Sequence, residues 1–266
     1  MLKIATWNIN SVRLRLPLVL KLLKEQAPDV LCLQEIKCTP DQFPAADIRK
    51  AGYEHIAVNG QKAYHGVAIV SRRPFTRDWS NGFCDIGDAR HIAVHLDTDG
   101  VDFVLHNFYI PAGGDEPDPK INPKFAHKLA FLAEFQSFLV EHGRDSAMMV
   151  VGDLNVAPYE NDVWSHKQLL NVVSHTPVET EALEAARTAA GFHDTMRKFV
   201  PMEEKLYTWW SYRARDWRKS GRGRRLDHIW VNDPLVDRID RVDVLTNARD
   251  WTKPSDHAPV IATIDR

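Results

Sequence analysis

Six segments of this chain end an apolar run with a side chain that could do chemistry. They carry Asn8, Glu35, Tyr109, Asp153 with Asn155, Asp227, and Asp256 with His257. Singly, most have an ordinary reading. Asn8 reads as a turn residue, Glu35 as a surface acid, Tyr109 as a half-buried strand aromatic, and Asp256-His257 as a cap before Pro259. Asp227 is harder to set aside, because it lies in an alternating strand pattern where an acid needs a partner. Together the set matches what phosphodiester hydrolysis demands. Oxygen donors select a hard cation, Mg²⁺ or Mn²⁺, which keeps several waters and takes only one or two carboxylates. Glu35 is the expected direct ligand, with Asn8 and Asp256 near it. Such a cation polarises the phosphate and stabilises the leaving oxygen. Asp153 is placed to orient or deprotonate the attacking water, and Asp153 with Asn155 are also candidates for a second metal. Asn155, Tyr109 and His257 can donate hydrogen bonds to the developing charge. Asp227 would hold the tautomer and orientation of His257.

The elements that must position these groups can be read from apolar patterning. Ala147 to Val151 is an apolar run too short for a helix, stopped by Gly152 and followed by Asp153, Asn155 and Pro158. It reads as a buried strand that points its polar end out of a rigid sheet. Leu2 to Thr6 and Asp29 to Gln34 read the same way, before Asn8 and Glu35. Ser11 is the expected N-cap of a helix reaching Gln26, although Pro17 falls inside it. A second helix is expected over Asp41 to Ala51. Tyr53–Val58 with Gly66–Ser71, and His91–Leu96 with Val101–Phe108, read as strand pairs, the latter turned at Asp99-Gly100. Pro123 to Glu141 and Glu179 to Ala190 are predicted helices. Val156 to Thr176 is ambiguous. Leu226–Val231, Val242–Leu245 and Val260–Ile264 complete the strands. Strands come in pairs as well as in βα units, which predicts an α/β fold of mixed sheets with helices outside, not a doubly wound parallel sheet.

The chain has 266 residues and 44% apolar content, with no repeat and no linker-like tract, so one domain spanning 1–266 is expected. Net charge is −2, which by itself advertises no polyanion partner. Charge is uneven, however. From Arg213 to Arg225 seven bases face one acid, Asp216, and Trp209, Trp210 and Trp217 lie beside them. A basic loop with aromatics fits a nucleic-acid footprint, with Arg222, Arg224 and Arg225 as candidate phosphate contacts; a solvated loop is the plain alternative. Three cysteines without disulfide or zinc spacing suit a reducing compartment. With no apolar window long enough for a membrane and no signal-like N-terminus, a cytoplasmic monomer is expected.

The sequence resembles the exonuclease III family of DNA-repair nucleases, within the wider endonuclease/exonuclease/phosphatase superfamily. The resemblance rests on Trp7-Asn8-Ile9-Asn10, Leu33-Gln34-Glu35, Asn107-Phe108-Tyr109-Ile110-Pro111, Gly152-Asp153-Leu154-Asn155, Arg225-Leu226-Asp227-His228 and Lys253 to Pro259, which span nearly the whole chain. It implies a four-layer α/β sandwich of two packed mixed sheets flanked by helices, a divalent metal, and action on double-stranded DNA with abasic sites, nicks or 3′ ends. The implied activities are 3′→5′ exonuclease, cleaning of 3′ ends, and incision 5′ to an abasic site. By the same resemblance, the eight residues named at the outset take the family's catalytic and metal roles. Trp209, in Tyr207-Thr-Trp-Trp-Ser-Tyr212, becomes a candidate wall of the pocket for an extrahelical abasic sugar, and Arg90 and Lys124 become candidate phosphate contacts. Ala112 and the short segment after Asn155 depart from the bacterial pattern. Two other readings compete: a lipid or inositol phosphate phosphodiesterase or phosphatase of the same superfamily, and a non-catalytic DNA-binding module.

Overall fold

The structure is a computed structural model and describes residues 1–98, 100–144, 146–214 and 216–265. The strands run β1 (Leu2–Asn8), β2 (Val30–Gln34), β3 (His55–Asn59), β4 (Val67–Ser71), β5 (Arg77–Trp79), β6 (His91–Thr98) and β7 (Val101–Tyr109). They continue with β8 (Met148–Asp153), β9 (Phe192–Asp194), β10 (Trp209–Trp210), β11 (Gly223–Arg224), β12 (Asp227–Asn232), β13 (Ile239–Val244) and β14 (Val260–Ile264). Among the described residues they form two six-stranded mixed sheets, ordered β13-β14-β1-β2-β4-β3 and β5-β6-β7-β8-β12-β9, and a small β10-β11 ribbon. The main helices are α1 (Leu16–Glu25), α2 (Ala45–Lys50), α3 (Pro123–His142), α4 (His166–Leu169) and α5 (Pro177–Ala189).

The layers follow from which way alternate side chains point. Ile4 and Cys32 face the second sheet and meet Leu105, Met149, Val151 and Ile229 in a central core. Ala5, Trp7, Leu31 and Leu33 face outward and are covered by Val19 and Leu22 of α1 and by Ile48 of α2. On the other side, Phe108, Val150 and Trp230 are covered by Phe131 and Phe135 of α3 and Leu183 of α5. β2, β4 and β8 are therefore buried on both faces, which is why they read as nearly continuous apolar runs. This is the expected four-layer α/β sandwich.

Some boundaries moved. α1 starts at Leu16 with Pro17 in its first turn, where its missing N–H costs nothing. Ser11 lies upstream of it at φ 83° and caps no helix. The helix expected over Asp41–Ala51 divides into a 3₁₀ turn at Pro40–Gln42 and the short α2. Of the predicted Asp99-Gly100 turn, Asp99 lies outside the described residues, and β6 and β7 pair down to Thr98 and Val101. No helix among the described residues is long and apolar enough to cross a membrane.

Candidate active site

The site forms where the ends of both sheets meet. β1 and β2 run parallel and pair Asn8 with Gln34, so Asn8 and the next residue, Glu35, emerge side by side. In the other sheet β7 and β8 run parallel and pair Tyr109 with Asp153. β12 runs antiparallel to β8 and pairs Asp227 with Asp153. Gly152 takes φ 139°, and a Cβ there would run into the Phe108 carbonyl oxygen, so only glycine lets β8 deliver Asp153 at this height. Glu35 and Asn155 both sit in the left-handed region, at φ 55° and 53°. For residues other than glycine such strain concentrates at functional positions.

Asn8 ties the two sheets together. Its Nδ2 donates to Glu35 Oε2 at 3.0 Å and to Asp153 Oδ2 at 2.8 Å. The other oxygen of Asp153 accepts from the Asn155 backbone N–H at 3.0 Å. His257 Nδ1 lies 2.8 Å from Asp227 Oδ2, and its Nε2 lies 3.7 Å from Asp153 Oδ2. The segment that brings His257 here is fixed by its own backbone. Trp7 Nε1 donates to the His257 carbonyl, and Ser255 Oγ donates to the Asn8 carbonyl. Asp256 accepts from Asn10 Nδ2 and from Trp209 Nε1. The flanking cleft, about 700 Å³, is walled by Trp164, Leu169, Val172, Trp209, Arg222 and Arg224.

Charge separates the roles. Burial works against a protonated His257, but Asp227 and Asp153 outweigh it and push its pKa up to about 10. Burial pushes the Asp153 carboxyl up to about 7, against the pull of His257. Burial, then Glu35 and Asp153, hold the Tyr109 hydroxyl well above its ordinary value, so it stays a proton donor. Burial raises Asp256, yet His257 and the hydrogen bonds from Asn10 and Trp209 leave it below its usual range.

Over residues 5–257 the sequence matches the Endonuclease/Exonuclease/phosphatase family. The chain belongs to that family. Within it, exodeoxyribonuclease III of Haemophilus influenzae is 31% identical over 98% of this chain and 99% of its own. A solved structure of a 3′ phosphatase from Neisseria, NExo, bound to product DNA hairpin, superposes with TM-score 0.90 at 33% identity and covers 100% of both chains. An AP endonuclease from Archaeoglobus fulgidus superposes with TM-score 0.90 at 34% identity, again over 100% of both chains.

Endonuclease/exonuclease/phosphatase nucleases depend on a divalent metal, and two places could hold one. Asp153, Asp227 and His257 bring ligand atoms within 4.8 Å of one another. Yet His257 Nδ1 is engaged by Asp227 Oδ2 at 2.8 Å, so that nitrogen is not open to a metal. This trio therefore reads as an acid–base group. The corner around Glu35 fits better. Lys37 Nζ already sits 2.7 Å from Glu35 Oε1 and 2.8 Å from Asn10 Oδ1, which shows a cation-seeking oxygen cluster. Asp256 and Asn8 line the same cleft, and with Asn8 Oδ1, which here accepts from the Asn10 backbone N–H, the ligands on offer would be oxygens, as a hard divalent cation requires.

Of the fourteen residues singled out from sequence, Asn8, Glu35, Tyr109, Asp153, Asn155, Trp209, Arg222, Arg224, Asp256 and His257 line the cleft together. Asp227 lies directly behind His257. Arg225 is a correction. It is fully buried, donating to Asp162 Oδ2 at 2.8 Å and Asp194 Oδ2 at 2.6 Å, so no phosphate can reach it. Arg90 is also largely engaged. It pairs with Asp88, donates to the Tyr109 carbonyl and lies 5.2 Å from the Tyr109 ring centroid, so it braces Tyr109. Lys124 is exposed, in a neighbouring recess shared with Arg90. Arg222 lies over the Trp164 ring and Arg224 over Trp209. Arg215 of the basic run lies outside the described residues. Sequence reasoning missed Lys37 and Trp164. Lys37 follows Glu35 by two residues, and that spacing was the available signal.

Proposed function

We propose that this protein is a divalent-metal-dependent DNA-repair nuclease that processes 3′ ends of duplex DNA and incises 5′ to abasic sites. The observation that carries the reading is the Asp227–His257–Asp153 alignment beside Glu35, opening on a cleft of paired aromatic and arginine side chains. The metal, Mg²⁺ or Mn²⁺, would be held by Glu35 with Asn8 and Asp256 nearby, and it would stabilise charge on the phosphate and the leaving oxygen. Asp153 lines the cleft and burial pushes its pKa up to about 7, so it is suited to orient and deprotonate the attacking water. Protonated His257 donates from Nε2 to a phosphoryl oxygen, and Asp227 keeps that proton in place. The Tyr109 hydroxyl adds a further donor.

The nucleic-acid reading is favoured over an inositol phosphate reading by Trp164 and Trp209, each faced by an arginine. Flat rings under guanidinium groups suit sugars and bases next to phosphates. A labelled duplex carrying an abasic site, a nick or a blunt end, digested with and without EDTA, tests the proposal. Nucleotide release or abasic incision that EDTA abolishes is expected. Release of phosphate from an inositol phosphate, with DNA left intact, would overturn it. Trp209→Ala should reduce abasic incision more than terminal digestion, because flipping a sugar out costs a few kcal/mol that the pocket must offset.

A further inference from the structure

A groove lies towards the opposite end of the strands that carry Tyr109 and Asp153. Val104 pairs with Met148 at the start of β7 and β8, five residues before Tyr109 pairs with Asp153, so the two ends are about 16 Å apart. There α3 leaves part of the sheet uncovered. The groove holds about 380 Å³ and is lined by Arg77, Trp79, Asn81, His106, Phe138 and His142, with Val104 and Met148 in its floor.

A fixed chain of hydrogen bonds decides what His106 offers to this groove. The Asn81 backbone N–H donates to His91 Nδ1 at 2.9 Å, and a backbone amide has no other tautomer. His91 must therefore carry its proton on Nε2, which faces His106 Nδ1 at 2.9 Å. That leaves His106 with its proton on Nε2. Burial is the largest cause holding both rings neutral, followed by His106 for His91 and by His142 for His106, and His106 is pushed down to about 3. His106 is 2% exposed, and its Nε2 has no hydrogen-bond partner among the described residues. Asn81 Oδ1 is likewise buried and unpaired. The relay excludes a metal on His106, because a metal would need that nitrogen stripped of its proton.

A buried donor and a buried acceptor with nothing to bind are costly. Trp79 and Phe138 stand steeply to the His106 ring on the groove wall, with centroids 5.8 and 5.3 Å from it. The Arg77 guanidinium lies 4.8 Å from the Trp79 ring centroid, and among the described residues it has no ion-pair partner. The complementary ligand is a flat ring with acceptor and donor on its edge, attached to an anion. We propose that this groove binds a nucleoside 5′-monophosphate, with the base between Trp79 and Phe138 and the phosphate on Arg77. The choice of this ligand rests on the nuclease reading, since exonucleolytic cleavage releases one such molecule per turnover. The site is then a product-sensing one, remote from the reaction centre.

The test is calorimetric titration of deoxyadenosine 5′-monophosphate into the full chain in EDTA, where no turnover occurs. Binding is expected, weakened about tenfold or more by Arg77→Ala and by His106→Phe. Arg77 is exposed on an edge strand, so its variant reports even if the buried His106 variant fails to fold. Deoxyadenosine and inorganic phosphate should each bind more weakly than the nucleotide. No binding at about 10 mM would overturn the proposal. So would binding lost only in Trp209→Ala, which would belong to the cleft. Because the titration does not depend on cleavage, a protein that binds the nucleotide but fails to cut DNA would refute the nuclease reading alone.

Discussion

Lys128 and Glu179 form an ion pair at 2.5 Å with both side chains fully buried. It joins α3 to the first turn of α5 and reaches both halves of the cleft. Lys128 Nζ also donates to the Asn155 carbonyl at 2.7 Å, which holds the left-handed turn after Asp153. Glu179 accepts from the Ser174 and Thr176 backbone N–H groups and from the Thr176 hydroxyl. Arg224 grips that same loop from the cleft side through Val173 O and Ser174 Oγ. The turn after Asp153 and the cleft wall therefore share one buried anchor.

Removing one partner should be severe. Lys128→Ala leaves a buried carboxylate unpaired and should cost about 3–5 kcal/mol of stability, read by chemical denaturation. The double variant Lys128→Met, Glu179→Leu should fold nearly as well as the parent, yet turn over more slowly, because the Asn155 carbonyl has lost its donor. A double variant with unchanged kcat would show that the pair is structural only.

Glu35→Ala should abolish turnover at ordinary Mg²⁺ while duplex binding is largely kept. Gel-shift and cleavage assays on the same labelled duplex check this. Near-parental cleavage in dilute Mg²⁺ would mean that Glu35 is not the metal's carboxylate.

Asp153→Asn and His257→Asn should each lower kcat by at least about a hundredfold. Asp227→Asn should cost less, because the imidazole stays. It should also change the pH profile. His257 acts protonated, so activity falls as pH rises through its pKa, which Asp227 helps push up to about 10. Without that carboxylate the alkaline limb should move to lower pH. An Asp227 variant worse than the His257 variant would mean that Asp227 acts directly.

Neighbouring arginines should behave in opposite ways. Arg225→Ala breaks a fully buried bridge to Asp162 and Asp194 and should destabilise the fold by about 3–5 kcal/mol. Arg222→Ala with Arg224→Ala should instead weaken binding to every DNA sequence alike. Each lost phosphate contact should remove about 0.9 from the slope of log affinity against log salt. An unchanged slope would return these two arginines to a structural role.

His228 is fully buried and held neutral, with burial first and Arg225 second pushing its pKa down to about 4. Its Nε2 faces the Val156 carbonyl at 2.8 Å. The unfolded chain therefore takes up a proton that the folded chain refuses between about pH 6.5 and pH 4. Stability from this group is present above that window and is lost as pH falls through it, by at most about 1.4 kcal/mol per pH unit. His228→Asn should flatten that part of the stability curve. A parallel curve in the variant would mean that another group carries the acid sensitivity.

Much of this was legible in the chain alone. Buried strands are mostly apolar, so the polar groups at their ends, Asn8, Glu35 and Asp153, stand out. That contrast is local, and it singled out residues that the fold brings together in one cleft. Which polar groups face inward is not local. Arg224 and Arg225 are adjacent and chemically identical, yet one lines the cleft and the other is sealed in the core. The difference lies in Asp162 and Asp194, which are 63 and 31 residues from Arg225 in sequence. The same holds for Lys128, which sits on the buried side of a helix where periodicity calls for an apolar residue, and is admitted because Glu179 meets it there. Burying a charge depends on a partner that only tertiary packing brings within reach.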